Sequence, residues 1–145
     1  ERRKMNMEDC LFCKIAAGEI ASHTVYEDAL FRVIMDLNPA SPGHMLILPK
    51  AHYQDFFELP NEVASAAMLL AKRLALAAKK ALPMDGLNIV QNNGKAAGQS
   101  VMHYHLHVVP RYQGVAFKLG EGSATQQELA EQAERIRAAL EEARR

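Results

Sequence analysis

Three of the six histidines in this 145-residue chain stand in one run, His103-Tyr104-His105-Leu106-His107, followed by Val108-Val109. Extended backbone turns successive side chains to opposite faces, so the spacing predicts a strand over 101–109 with all three imidazoles on one side, ~7 Å apart per step. Tyr104, Leu106 and Val108 then face a core. Burying three imidazoles costs desolvation, so stability alone is a weak reason for the pattern. Two chemistries use it. Imidazole nitrogens ligate zinc, which would make a metal hydrolase. Alternatively, one neutral imidazole attacks phosphorus while its neighbours hold and protonate oxygens. The surroundings favour the second. Gly98-Gln99-Ser100 can offer backbone N–H groups and a hydroxyl to an anion, and no Asp or Glu lies within ten residues of the run.

A second group is Cys10-Leu11-Phe12-Cys13. Two cysteines three apart are half of a zinc site, a redox pair, or two reduced thiols. The thioredoxin-like alternative wants a βαβ context that is absent, and two cysteines cannot staple a domain of this length. Equal numbers of basic and acidic residues, 17 and 17, argue against a nucleic-acid binder, which needs clustered positive charge. Residues 1–10 carry no apolar run. The most apolar stretch, 63–82, holds Lys72, Arg73, Lys79 and Lys80, unlike a membrane span. The expected setting is cytoplasmic.

These groups need a scaffold. Residues 24–35 read as two short strands about a Glu-Asp turn, His44–Leu48 as a third strand stopped by Pro49, and Leu87–Val90 as a fourth. The fifth is the histidine strand, ended by Pro110. Asn61 is the expected N-cap of a helix over 62–82, and Thr125-Gln126-Gln127-Glu128 is a capping box opening a last helix. Strands with only two clear helices predict a single α+β domain: an antiparallel sheet of about five strands, one long central helix and a C-terminal helix. The expected organisation is an N-terminal extension over 1–9, a domain over 10–118, and a linker and helix over 119–145. The apolar surface of helix 62–82 exceeds what one sheet covers, which predicts a homodimer. Its contact would be either Val63, Ala67, Leu70 and Leu74 or the neighbouring Met68 and Leu69.

Further matching pieces are Cys10-Leu11-Phe12-Cys13-Lys14-Ile15, Asp36 with its Pro-rich loop, Gly43-His44 and Leu48-Pro49-Lys50-Ala51-His52. They continue with Asn92, Gly98-Gln99-Ser100-Val101-Met102 before the triad, and Val108-Val109-Pro110-Arg111-Tyr112. In that order, they make residues 10–112 resemble the histidine triad (HIT) family of nucleotide hydrolases and transferases. The likeness is to the zinc-binding bacterial-type branch, similar to adenosine 5′-monophosphoramidases.

The resemblance implies that His105 attacks the α-phosphorus of a purine nucleotide derivative and forms a nucleotidyl-histidine. Its other nitrogen would hold a proton against a carbonyl such as that of His103. His103, His107, His44 and Ser100 would complete the catalytic group. Phe12, Ile15, Ile34 and Leu37 would sandwich the base, Asp36 would meet the ribose and Asn92 the phosphate side, and Asn38, Gly98 and Gln99 would also line the nucleotide site. Taken alone, Asp36 is as well read as closing an Asx-turn, Asn92 as a turn residue, His44 as a strand-start histidine and the apolar residues as core. A structural zinc would be held by Cys10, Cys13, His52 and His103. A closed shell of four ligands leaves no open position, so no catalytic metal is required. The substrates implied are nucleoside 5′-phosphoramidates, dinucleoside polyphosphates or related nucleotidyl compounds. A nucleotidyl transferase and a purine-nucleotide-binding scaffold with vestigial activity are the alternatives.

Overall fold

The computed structural model describes residues 9–144. The extension expected over 1–9 therefore falls, Asp9 aside, outside the described residues, as does Arg145. Eight elements follow in order: α1 (Leu11–Ala16), β1 (Thr24–Glu27), β2 (Phe31–Met35), β3 (Met45–Pro49), α2 (Asn61–Ala81), β4 (Gly86–Val90), β5 (Leu106–Arg111) and α3 (Gln126–Glu142). The five strands form one antiparallel sheet in the order β1-β2-β3-β5-β4. The α+β reading with a five-stranded sheet holds, with α1 as a third helix. No helix among the described residues is long and apolar enough to cross a membrane.

Strand alternation divides the sheet between two apolar layers. Phe31, Val33 and Met35 of β2, Met45 and Ile47 of β3, and Leu106 and Val108 of β5 pack beneath α2 and α3. Ile34, Leu46 and Leu48 point the other way, under α1. From α2, the stripe Val63, Ala67, Leu70, Leu74 and Ala77 enters the first layer. A fully buried leucine such as Leu74 contributes ~1.5–3 kcal/mol from area removed from water. That stripe is consumed within the chain, so the first of the two expected dimer contacts is not available. Met68, Leu69 and Leu76 remain 53, 68 and 61% exposed. The last helix shares the core: Leu129 and Ile136 are fully buried with it, and Thr125 and Glu128 make the expected capping box.

Several boundaries and one helix differ from the sequence reading. Pro60, not Asn61, occupies the N-cap of α2, and no side chain caps it. Proline suits that place because its fixed φ is already extended enough there and no N–H is wasted. Pro49 is the last residue of β3, paired with Phe31, whereas Pro110 lies inside β5, paired with Leu87, and does not end it. Regular β5 begins only at Leu106. Before it, the Tyr104 N–H donates to the Tyr53 carbonyl at 2.7 Å, outside any sheet ladder. Side-chain alternation nevertheless continues through this segment, since Tyr104 joins Leu106 and Val108 in the first layer. Finally, α1 was not expected. It is a six-residue turn whose cap is a thiol: Cys10 Sγ accepts from the Cys13 N–H at 3.2 Å.

Candidate active site and adjoining cysteine–histidine cluster

The histidine run lies on the α1 side of the sheet, but its members separate into two groups. His103 turns away from the cleft. Its Nε2 is 2.8 Å from the Pro49 carbonyl, which can only accept, so the proton is on Nε2 and Nδ1 presents a lone pair. That lone pair faces Cys10 Sγ at 3.3 Å, Cys13 Sγ at 3.4 Å and His52 Nδ1 at 3.2 Å. Cys13 Sγ is in turn 3.2 Å from His52 Nδ1. A tetrahedron with zinc–sulfur near 2.3 Å and zinc–nitrogen near 2.0–2.1 Å has edges of about 3.3–3.8 Å, so these spacings are close to the right size. Burial, and then Cys10 beside it, pushes the Cys13 thiol up to about 12. A cation seated among these donors would offset that burial and hold the sulfur ionised. The four donors therefore fit a metal ion and leave it no open position.

His105 has the opposite arrangement. Its Nδ1 is 2.7 Å from the His103 carbonyl, so Nδ1 carries the proton and the Nε2 lone pair is free. Phe12 of α1 stands edge-on to the ring, with centroids 5.0 Å apart. Burial lowers the His105 pKa below its ordinary value, against the raising effects of the His103 carbonyl and Asp36. The imidazole is neutral at pH 7.

A chain of hydrogen bonds sets His107. The Ala40 N–H donates to His44 Nδ1 at 3.0 Å, so the His44 proton is on Nε2, which donates to His107 Nδ1 at 2.9 Å. His107 therefore carries its own proton on Nε2. Burial, then the neighbouring His105 and His44, holds His107 down at about 3; burial and His105 hold His44 at about 4. Asp36 Oδ2 lies 3.5 Å from His44 Nε2. Asp36, His44 and His107 are close enough to suggest metal ligands, but the proton between the two imidazoles accounts for their approach. Nor do the three triad histidines converge on one point, so a zinc hydrolase with the triad as its ligands is not assembled.

Both His105 and His107 open on a cleft of about 450 Å³, within the range of small-ligand sites. Its apolar end is lined by Phe12, Ile15, Ile34, Leu37 and Leu46, and its polar end by Asn92, Gly98 and Ser100. Asp36 and Asn38 stand at the rim, with Asp36 Oδ1 accepting from the Asn38 N–H at 2.8 Å. The Asx-turn is thus real, and Oδ2 remains toward His44. Three expected site residues are absent from the cleft wall. His103 belongs to the cluster and reaches the cleft only through its carbonyl on His105. His44 is fully buried behind His107. Gln99 spends its side chain on the loop: Oε1 accepts from the Gly94 N–H at 2.7 Å, and Nε2 donates to the Gln54 and Val101 carbonyls. Leu46, Ile20, Ala21, Ser22, Leu119 and Gly120 line the cleft without having been expected there. Leu46 could have been read from the alternation of its strand; the others lie in irregular segments with no periodic signal.

Residues 17–114 match the HIT domain family. An HIT-like protein of Methanocaldococcus jannaschii is 46% identical over 105 residues, covering 72% of this chain and 81% of that protein. An adenylylsulfatase of Arabidopsis thaliana is 44% identical over 103 residues, 71% of this chain and 52% of its own length. Among solved structures, a zinc-bound histidine triad family protein from Mycobacterium smegmatis superposes with a TM-score of 0.86 at 36% identity, covering 96% of this chain and 98% of that one.

Proposed function

The chain belongs to the HIT domain family, and we propose that it is a nucleotide hydrolase acting at the α-phosphate of purine nucleotidyl compounds through a covalent nucleotidyl-histidine. One observation carries the reading: the His103 carbonyl holds the proton of His105 on Nδ1 and leaves Nε2 as a lone pair at the cleft. In the proposed reaction Nε2 attacks phosphorus, the N–P bond forms, and the bond to the leaving group breaks with its electron pair. The Nε2–H of His107 and the Ser100 hydroxyl donate to phosphoryl and leaving-group oxygens, where charge grows. Water then displaces the imidazole and releases the nucleoside monophosphate. Phe12, Ile15, Ile34 and Leu37 would receive the base, and Asp36 the ribose hydroxyls. His44 is a positioning residue that fixes the tautomer of His107. A relative named as an adenylylsulfatase supports adenylyl compounds as substrates; phosphoramidates and dinucleoside polyphosphates are the further candidates to try.

Cys10, Cys13, His52 and His103 are proposed to hold a structural zinc, whose contribution is to fix α1 and the His103 backbone. Reduced thiols suit a cytoplasmic setting. A second copy of the chain is the proposed cover for Met68, Leu69 and Leu76 of α2, with β4 at the sheet edge beside it. Light scattering should report twice the chain mass, and Leu69→Glu should shift it to one.

The decisive experiment is rapid quenching with an adenosine phosphoramidate followed by mass spectrometry. An adenylyl adduct on His105 is expected. Turnover with no adduct at any time, under conditions that preserve phosphohistidine, would exclude the covalent route. A binding scaffold would form no adduct and release no product.

A further inference from the structure

Two parts of the cleft lie outside the stretch that matches the family: α1, ahead of residue 17, and the connection that follows β5. That match ends at residue 114, yet Leu119 and Gly120, in the connection between β5 and α3, line the same cleft as Phe12 and His105. The connection is tied down along its length. Near its start, Arg111 donates from Nη2 to the Val115 carbonyl at 3.1 Å, and its guanidinium lies 4.8 Å from the Phe117 ring centre. Tyr112 Oη donates to the Pro42 carbonyl at 2.8 Å. Beyond the cleft, Gln126 Oε1 meets His23 Nε2 at 2.6 Å, beside the cleft residue Ser22.

Gly122 sets how closely the connection approaches. A Cβ there would stand 1.6 Å from the Pro39 carbonyl oxygen and 2.8 Å from its carbon. Both are backbone atoms and cannot swing aside, so only glycine lets the chain lie against this loop. Seating on Pro39 and on His23 brings residues 119 and 120 to the cleft that Leu37, Asn38 and Ile20 to Ser22 also line. Leu119 is half-buried although it joins neither core layer. Its apolar surface is spent on the cleft.

We propose that this connection is the specificity wall of the nucleotide cleft, with Leu119 closing over a bound base and Gly122 fixing its height. The inference rests on the nucleotide reading above. An apolar lip opposite Phe12, Ile15 and Ile34 rewards a large flat base, so it selects purine over pyrimidine. The wall touches no reacting group and acts through binding of the base.

The test uses full-length His105→Asn protein, which keeps the cleft but lacks the nucleophile, titrated with AMP and with CMP by calorimetry. Adding Leu119→Ala should weaken AMP roughly three- to ten-fold and CMP less than two-fold, while Leu119→Met restores the preference. Gly122→Ala, with folding checked by its melting curve, should narrow the preference in the same direction by lifting the wall. AMP binding whose ratio to CMP is unmoved by Leu119→Ala overturns this proposal alone. A parent protein that binds neither nucleotide overturns the nucleotide reading and this proposal with it.

Discussion

His103 and His105 are two residues apart, both buried beside the same Phe12 ring, and they take opposite parts. A carbonyl decides each. Pro49 takes the Nε2 proton of His103 and leaves Nδ1 for the two sulfurs, whereas the His103 carbonyl takes the Nδ1 proton of His105 and leaves Nε2 for the cleft. The cluster side is closed, with four donors facing one another; the cleft side is open, with two imidazoles facing a cavity of about 450 Å³. Both sides hang on α1, which sends Cys10 and Cys13 one way and Phe12 and Ile15 the other. Residue type thus says little about an imidazole's work. The acceptor for its other nitrogen says most of it.

The largest loss is expected at His105. Replacement by Asn should lower kcat by ~10³-fold or more with AMP affinity within a few-fold, as steady-state kinetics and calorimetry would show. If more than a tenth of kcat survives, the two histidines do not differ as argued. Ser100→Ala, which removes one donor at the polar end, should cost roughly ten- to a thousand-fold in kcat/KM.

On the closed side the balance reverses. Cys13→Ser should remove bound zinc, measured by metal analysis, and lower Tm by roughly 5–10 °C, while kcat measured well below the melt falls less than ten-fold. A variant as inactive as His105→Asn yet as stable as the parent would merge the two sides into one catalytic unit.

The smallest expected effect is with pH. His44 and His107 have folded pKa values of about 4 and about 3, below the ordinary 6.5. The unfolded chain binds more protons in that window, so their contribution to stability is present above pH 6.5 and is lost as pH falls toward the folded values. Urea midpoints should decline from pH 7 to pH 5. The acid limb of kcat/KM should also fall below pH 6.5, because burial depresses His105. An acid limb at or above 6.5 would mean that the nucleophile is not shielded.

Much of this was legible in residue order. The alternation of the triad, the Cys pair, the α2 stripe and the Thr125–Glu128 box each carry a local physical signal, and each occurs where it was expected. What could not be read was the second partner of each side chain. Nothing in the spacing of His103, His105 and His107 says that Pro49 or Ala40 will supply the carbonyl or N–H that sorts their tautomers. The resemblance puts Gln99 in the nucleotide site; only the fold shows its amide bridging Gly94, Gln54 and Val101. Six-residue α1 was invisible because its cap is a cysteine, outside the usual Ser, Thr, Asp and Asn. The Leu119 wall lacks periodicity altogether.

Burial of Leu129, Ile136 and Leu140 against α2 and β1 bears on the order in which the molecule can be made. Every proposed catalytic group has been synthesised by residue 107, but the surface that those three residues cover stays open to water until residue 140 has been added. Domains tend to fold as whole units as they emerge from the ribosome, and uncovered apolar surface invites misassembly in the meantime. The nascent chain therefore carries a complete set of reactive side chains on an unfinished core. Its competence to act arrives all at once, when α3 has joined the core.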